Sequence, residues 1–228
     1  MLITIEGIDG SGKNTQAALL KEKLQLQFPN RKVSLMSFPD YGNNLFAKEV
    51  GYYLDGKYGT IEEVPVKFAC MMYAGDRYMN KDKILELSSG DNILICDRYV
   101  ESNLAHQVAK LHTENEKQEL RDWLHELEYG CYNLPKPDLT IWLSLPVAIS
   151  TELVLKKKAR SYTDNKQDLH ESVSGYLRHV SDEYAYLSYI NSWWKQVPCV
   201  TLHNGETVLN TIENISNIVV NTVCHFIK

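Results

Sequence analysis

The sequence predicts an α/β fold, a parallel sheet of about five strands with helices on both faces, and two observations predict it. Short β-branched apolar runs alternate with longer segments of helical period along all 228 residues. The first strand-to-helix transition carries the run Gly7-Ile8-Asp9-Gly10-Ser11-Gly12-Lys13, a loop chemistry that belongs between a strand and a helix. Strands separated by helices build βαβ units, whose strands lie parallel and whose ligands gather beyond the strands' carboxyl ends. Positions just after Glu6, Ser37 and Cys96 are therefore suspects before any motif is named.

The elements follow in order. Residues 2–6 form an apolar run closed by Gly7 and read as a buried strand. Residues 13–28 carry Ala17, Leu20, Leu24 and Phe28 at the spacing of one helical face. A strand is expected over 32–37 and helices over 45–54 and 62–87. The run NILIC, 92–96, reads as a strand, with helices over 101–110 and 116–129. Pro135 and Pro137 delimit a strand over 139–145. Residues 156–168 have few apolar side chains and many charges, the composition of an exposed, mobile flap. A helix over 167–189, a short strand over 199–202 and an amphipathic helix over 207–226 complete the chain. No repeat, linker or low-complexity tract divides it, so one domain is expected over 1–228.

Composition narrows the class. Apolar residues at 44% and charged residues at 23% exclude a disordered or fibrous chain. A net charge of −5 makes the protein a poor candidate for non-specific binding to nucleic acid or anionic lipid. Five cysteines, an odd number without a CxxC pair, read as buried, reduced thiols, and with them a cytoplasmic location. No apolar run approaches ~18 residues, so no membrane span is expected. The N-terminal MLITIEG lacks a signal peptide's basic region and reads as the first strand.

Gly7 to Lys13 has the spacing G-x-x-x-x-G-K of a phosphate-cradling P-loop. Glycines let successive backbone N–H groups turn toward phosphate oxygens, and the helix that follows adds the positive end of its dipole. Lys13 supplies a flexible cation for the terminal phosphates. Where the motif has Ser or Thr as the Mg²⁺ ligand, this chain has Asn14, followed by Thr15. The Asn14 amide oxygen can coordinate Mg²⁺ directly or bond to a metal-bound water.

GIDGSGKNTQ, SFPDYG, YAGDR, DRYVESNLAHQ and LPKPDLTIWL occur in that order and together resemble thymidylate kinases, over residues 2 to about 190. That resemblance implies a three-layer P-loop kinase fold with a lid, and transfer of the γ-phosphoryl group of ATP to dTMP, with Mg²⁺ accompanying ATP. It also implies a homodimer formed through helices flanking the acceptor site.

The motifs can be read physically beside it. Asp97, at a strand end by the P-loop, suits holding Mg²⁺ through water, and Arg98 offers a planar fork to the acceptor phosphate. On the next helix Ser102 and His106, and Asn103 and Gln107, are spaced i, i+4 and share a polar face suited to a sugar and a base edge. The resemblance gives Asn103 or Gln107 the reading of the pyrimidine, and places His106 where the family has an aromatic along the 2′ side of the sugar. Tyr73 and Arg77 share a helix face, and Tyr73 matches the ring that stacks on thymine, with Met72 as the alternative register. Phe38-Pro39 matches a proline turn that shapes the acceptor pocket. The family's arginine near that proline is replaced by Asp40 and Tyr41, leaving Arg77, Arg98 or Lys48 to hold the phosphate.

Asp9 occupies the position of a family carboxylate that positions the acceptor phosphate or deprotonates it. With Gly10 in the P-loop, the resemblance places the transition-state cation in the lid, Arg160 first and Lys156 to Lys158 as alternates. Catalysis is thus expected from Asp9, Lys13, Arg98 and Arg160. Two other readings share these motifs: a nucleotide kinase with another acceptor, such as dUMP or dCMP, and a non-catalytic nucleotide switch. Against the switch, the chain has no NKxD-type base-reading run.

Overall fold

A computed structural model describes residues 1–60, 63–160 and 174–227, the side chains of 155–160 and 174 excepted. The elements are β1 (Leu2–Glu6), α1 (Lys13–Gln27), β2 (Val33–Ser37), α2 (Leu45–Leu54), α3 (Val66–Met79), α4 (Lys81–Ser88), β3 (Ile93–Asp97), α5 (Val100–Val108) and α6 (Glu114–His125). A π-helical turn, Glu126–Cys131, extends α6. Then come β4 (Leu139–Ser144), α7 (Val147–Arg160), α8 (Ser174–Ile190), β5 (Trp194–Pro198), β6 (Val200–His203), β7 (Glu206–Leu209) and α9 (Ile212–Ile227).

The five-stranded sheet has the order β2-β3-β1-β4-β5, all parallel, as the alternation of strands and helices predicts. Period-2 alternation sends Ile3 and Ile5 to the face covered by Leu20 and Leu24 of α1 and Val219 and Val223 of α9. Leu2, Leu94 and Trp142 point the other way, against Leu104 of α5, Leu124 of α6 and Val180 of α8. Thr4 and Thr140 are register partners in β1 and β4, and their buried hydroxyls bond at 2.9 Å. A smaller cluster, Val50, Tyr53, Val64, Ala69 and Met72, joins α2 to α3. Gly75 permits that approach, since a Cβ there would sit 2.4 Å from the Phe46 ring.

Several expected boundaries move, each for a visible reason. The helix expected over 62–87 is two, because Asn80 departs from helical geometry and its amide donates to the Asp76 carbonyl. Helix α6 starts two residues early, where Thr113 and Glu116 form a reciprocal capping box. The strand expected over 199–202 is not the fifth strand of the sheet. That place belongs to Trp194–Pro198, while Val200–His203 pairs antiparallel with Glu206–Leu209 in a hairpin. Helix α7 was not anticipated at all, and it takes residues 156–160 of the expected flap. Residues 161–168 of that flap lie outside the described residues. Cys70, Cys96, Cys199 and Cys224 are buried thiols outside any disulfide, whereas Cys131 is exposed. Among the described residues no helix is long and apolar enough to cross a membrane.

Glu101 of α5 is 4% exposed and accepts from the Tyr129 hydroxyl at 3.0 Å. Burial pushes its carboxyl from the ordinary 4.5 up to about 8. The folded protein therefore keeps a proton that the unfolded chain releases, and stability is lost as pH rises through that window. Glu101→Gln should raise the melting temperature at pH 8 and raise it less at pH 5. Thermal unfolding of both proteins across pH checks this.

Candidate functional site

Two cavities open at the carboxyl ends of the strands and share Asp9, Asp97 and Arg98. The strand order brings these residues together. In the β1–β3 register Ile5 lies opposite Asp97, and the Arg98 amide donates to the Ile5 carbonyl at 3.1 Å. The loops leaving β1 and β3 thus emerge side by side.

The larger cavity, about 780 Å³, follows the P-loop from Asp9 to Gln16. Gly12 precedes α1 in the left-handed region, and no side chain caps the helix. The amides of its first turn are left to face the cavity, beside the positive end of the dipole. Lys13 opens α1; its ammonium donates to the Ile8 carbonyl at 2.9 Å and lies 3.7 Å from the Asp9 carboxylate. Burial brings the Lys13 pKa down from 10.5 to about 8, with the Arg98 charge adding to the effect. Asn14 and Thr15 are exposed at the start of α1. The far wall escaped the sequence reading: Leu145, Leu153, Val154, Cys199, Leu209 and Ile212, brought in by α7, the hairpin and α9. Nothing short-range in the sequence marks these residues, since they meet the P-loop only through the fold.

Gly10 has φ +78°, and a Cβ there would sit 3.0 Å from the Ser150 carbonyl of α7. The Ser150 hydroxyl in turn donates to the Asp9 carbonyl at 2.5 Å. Helix α7 therefore occupies the space a longer side chain at position 10 would need.

The smaller cavity, about 390 Å³, is lined by Phe38, Pro39, Tyr73, Arg77, Ser102, Asn103, His106 and Gln107 along with the shared residues. The acceptor-side residues expected from the sequence lie there, Lys48 excepted. The Phe38–Pro39 bond is cis. Tyr73 faces the cavity and meets Tyr53 edge-on, with ring centroids 6.3 Å apart, whereas Met72 is packed into the α2–α3 core. Of the two registers, Tyr73 is the one whose side chain faces the cavity.

Three expected partners behave differently from the sequence reading. Arg77 is 2% exposed and forms a bidentate pair with Glu128 at 2.6 Å through both Nε and Nη2. Its fork is committed to a buried carboxylate and is not available to grip a phosphate. Glu128 arrives from the π-helical turn, where the Tyr132 amide donates five residues back to Leu127. Lys48 is exposed, stacks over Tyr52 and lines a separate surface cleft. Asn103 donates to the Cys70 carbonyl at 3.1 Å and to Glu128 at 2.8 Å, which fixes the orientation of its amide. Its buried Oδ1 has no hydrogen-bond partner among the described residues.

Arg98 remains as the cavity's cation. It is a non-glycine residue at φ +68°, a conformation that costs on the order of 1–3 kcal/mol. Its guanidinium bonds to Asp9, reaches the Ser102 hydroxyl at 3.4 Å and lies 3.3 Å from His106 Nε2. Asp97 beside it is 9% exposed, and its Oδ1 has no hydrogen-bond partner among the described residues. Such an orphaned carboxylate oxygen, with Asn14 lining the same cavity, is a hard donor set that fits Mg²⁺. The side chains of Arg160 and Lys156 to Lys158 lie outside the described residues.

Known proteins resemble this arrangement. The sequence model of the family described as thymidylate kinase matches residues 5–195. A thymidylate kinase of Mycobacterium tuberculosis is 36% identical over 154 residues, 67% of this chain and 69% of that protein. A probable thymidylate kinase of Thermococcus kodakarensis is 30% identical over 218 residues, 93% of this chain and 95% of that one. The structure of a thymidylate kinase from Candida albicans superposes with a TM-score of 0.68 at 25% identity, covering 98% of this chain and 91% of that one.

The depressed Lys13 pKa has a measurable consequence. Phosphate oxygens beside the ammonium favour its charged form, so binding a triphosphate near pH 8 should take up a proton. At pH 6.5, where Lys13 is already charged, uptake through this group should vanish. Titration calorimetry of ATP in two buffers of different ionisation enthalpy reads the proton number directly. Affinity for ATP should also fall as pH rises beyond about 8.

Proposed function

We propose a division of labour within a chain that belongs to the thymidylate kinase family and phosphorylates dTMP at the expense of ATP: the larger cavity takes the donor, the smaller the acceptor. The observation that carries this is the junction at Asp9, Asp97 and Arg98, where the two cavities meet. Phosphoryl transfer asks little covalent chemistry of a protein; it asks for two nucleotides in line, a dry pocket and compensating charge.

On the donor side, backbone amides from Gly7 through Thr15 and the Lys13 ammonium hold the triphosphate. Asp97 and Asn14 would hold Mg²⁺, which when bound neutralises charge on the phosphate oxygens. The mainly apolar far wall, from Leu209 to Ile215, takes the donor base. On the acceptor side, Arg98 grips the dTMP phosphate. Asp9, bonded to Arg98 and near Lys13, aims that phosphate at the donor. A phosphate monoester is already mostly ionised at neutral pH (second pKa about 6), so Asp9 positions rather than deprotonates. Arg160, with Lys156 to Lys158 as alternates, supplies the lid cation, the need for which follows from α7 filling the space beside Gly10.

Tyr73 stacks on the base. Asn103, its amide N–H groups held by Cys70 and Glu128, presents Oδ1 as an acceptor. Thymine and uracil offer an N3–H there; cytosine offers a lone pair, and two acceptors repel. Arg77, its Nε and Nη2 held by Glu128, donates from Nη1 at the base edge beside it, and Ser102, His106 and Gln107 flank the sugar. Exposed Leu45, Phe68, Met71 and Met79 on α2 and α3 suit a homodimer through the helices beside the acceptor cavity. The net charge of −5 and the thiols outside any disulfide fit a cytoplasmic enzyme without nucleic-acid partners.

Steady-state kinetics test the assignment. Lys13→Ala should abolish transfer and leave the fold intact. Arg98→Ala should raise KM for dTMP roughly 10–100-fold, the worth of one charged hydrogen bond, while KM for ATP changes less than about twofold. An unchanged KM for dTMP would remove Arg98 from the acceptor site. Among acceptors, dTMP and dUMP should be used and dCMP rejected by at least about 100-fold in kcat/KM.

A further inference from the structure

Glu6 is the last residue of β1 and is fully buried. A strand residue beside a phosphate loop is an expensive place for a carboxylate, and this one lines neither cavity itself. Its surroundings explain its presence. It sits on the same face of β1 as Leu2 and Thr4, under α5 and α8, and three donors converge on it. The Tyr99 amide donates to Oε1 at 2.7 Å, while the Ser102 hydroxyl and the Tyr184 hydroxyl donate to Oε2 at 2.5 and 3.0 Å. Burial pushes the carboxyl upward, and the hydrogen bonds and the nearby Arg98 charge pull it back toward ionisation.

Each donor leads to a different part of the acceptor site. Tyr99 directly follows Arg98, whose left-handed backbone must be held against its preference. Ser102 both donates to Glu6 and accepts from Arg98 Nη1. Tyr184 comes from α8, which also sends the Tyr176 hydroxyl to the His106 carbonyl at 2.7 Å. The carboxylate thus ties backbone and side chain of the DRY segment to the strand that delivers the P-loop, and ties both to α8.

We propose that Glu6 is a positioning residue of the acceptor-phosphate site: a buried carboxylate that holds Arg98 in its working geometry through Tyr99 and Ser102, and couples that geometry to α8 through Tyr184. The inference rests on the reading of Arg98 as the phosphate-binding residue. Glu6→Gln is nearly isosteric, yet its amide NH₂ meets a donor where an acceptor is needed. It does not reach the phosphate itself and acts on it by way of Arg98, whose Nη1 donates to Ser102.

The test is a double-mutant cycle on kcat/KM for dTMP, with KM for ATP and the melting temperature measured alongside. Glu6→Gln should lower kcat/KM for dTMP roughly 10–100-fold, with KM for ATP within about twofold. In the Arg98→Ala background the same change should cost less than about twofold, because the group it positions is gone. Equal losses in the two backgrounds would overturn the proposal, as would a parallel loss in ATP binding or no loss in the native background. Should Glu6→Gln fail to fold, Tyr184→Phe, which removes one donor of three, carries the same cycle, with a smaller loss that again disappears when Arg98 is absent. Loss that persists there would likewise overturn it. Failure of the functional reading itself would be distinct: the unmodified enzyme would not phosphorylate dTMP.

Discussion

The Arg98 amide donates to the Ile5 carbonyl at 3.1 Å, at the last rung of the parallel ladder between β1 and β3. That rung determines where two chain exits lie relative to each other. Beyond it, β1 turns into the P-loop at Gly7, and β3 turns into Asp97-Arg98-Tyr99. Because side chains alternate faces along a strand, slipping this ladder by one residue would invert the faces of the whole strand. Glu6 would leave the α5–α8 side and Asp97 would leave the cavity junction. Register here is a condition for chemistry as much as for packing, and Ile3 and Ile5, buried on the opposite face, enforce it.

Polar groups buried behind the site are arranged to leave chosen atoms unsatisfied. Glu128 consumes the fork of Arg77 and one N–H of Asn103, which leaves Asn103 Oδ1 open. Glu6 consumes the hydroxyl protons of Ser102 and Tyr184 and the amide of Tyr99. Buried ion pairs of this kind contribute little net stability, because desolvation offsets most of the attraction. Their value is geometric: a side chain already fixed by a buried partner loses no further freedom when a nucleotide arrives. The strained backbone of Arg98 belongs to the same arrangement, held by its own amide on the Ile5 carbonyl and by the Tyr99 amide on Glu6.

Much of this was legible beforehand, and the legible parts share a cause. Strand β1, the P-loop, helix α2 and the DRY segment are written in contiguous residues, where periodicity, glycine spacing and the strand-to-helix switch act over a few positions. The i, i+4 spacings of Ser102 with His106 and of Tyr73 with Arg77 placed those side chains on common faces, and the structure finds all four in one cavity. What was misread lacked a local signature. A hairpin at 200–209 competes with β5 for one apolar stretch, and only sheet pairing with β4 decides that residues 194–198 take the place. Helix α7 has a weak pattern and is held by its packing against Gly10 and Asp9.

Sequence alone therefore determined the fold class and the phosphate loop, which short-range spacing and residue chemistry encode, while the acceptor residues came from shared helix faces together with the family resemblance of their motifs. Tertiary structure alone decided which of them are available. Arg77 meets Glu128 across 51 residues of chain and Glu6 meets Ser102 across 96. Such pairings depend on how strands and helices stack, and on a π-helical turn that no propensity announces. A carboxylate's partner in a folded interior is chosen by the whole topology, and the flanking sequence of neither residue contains it.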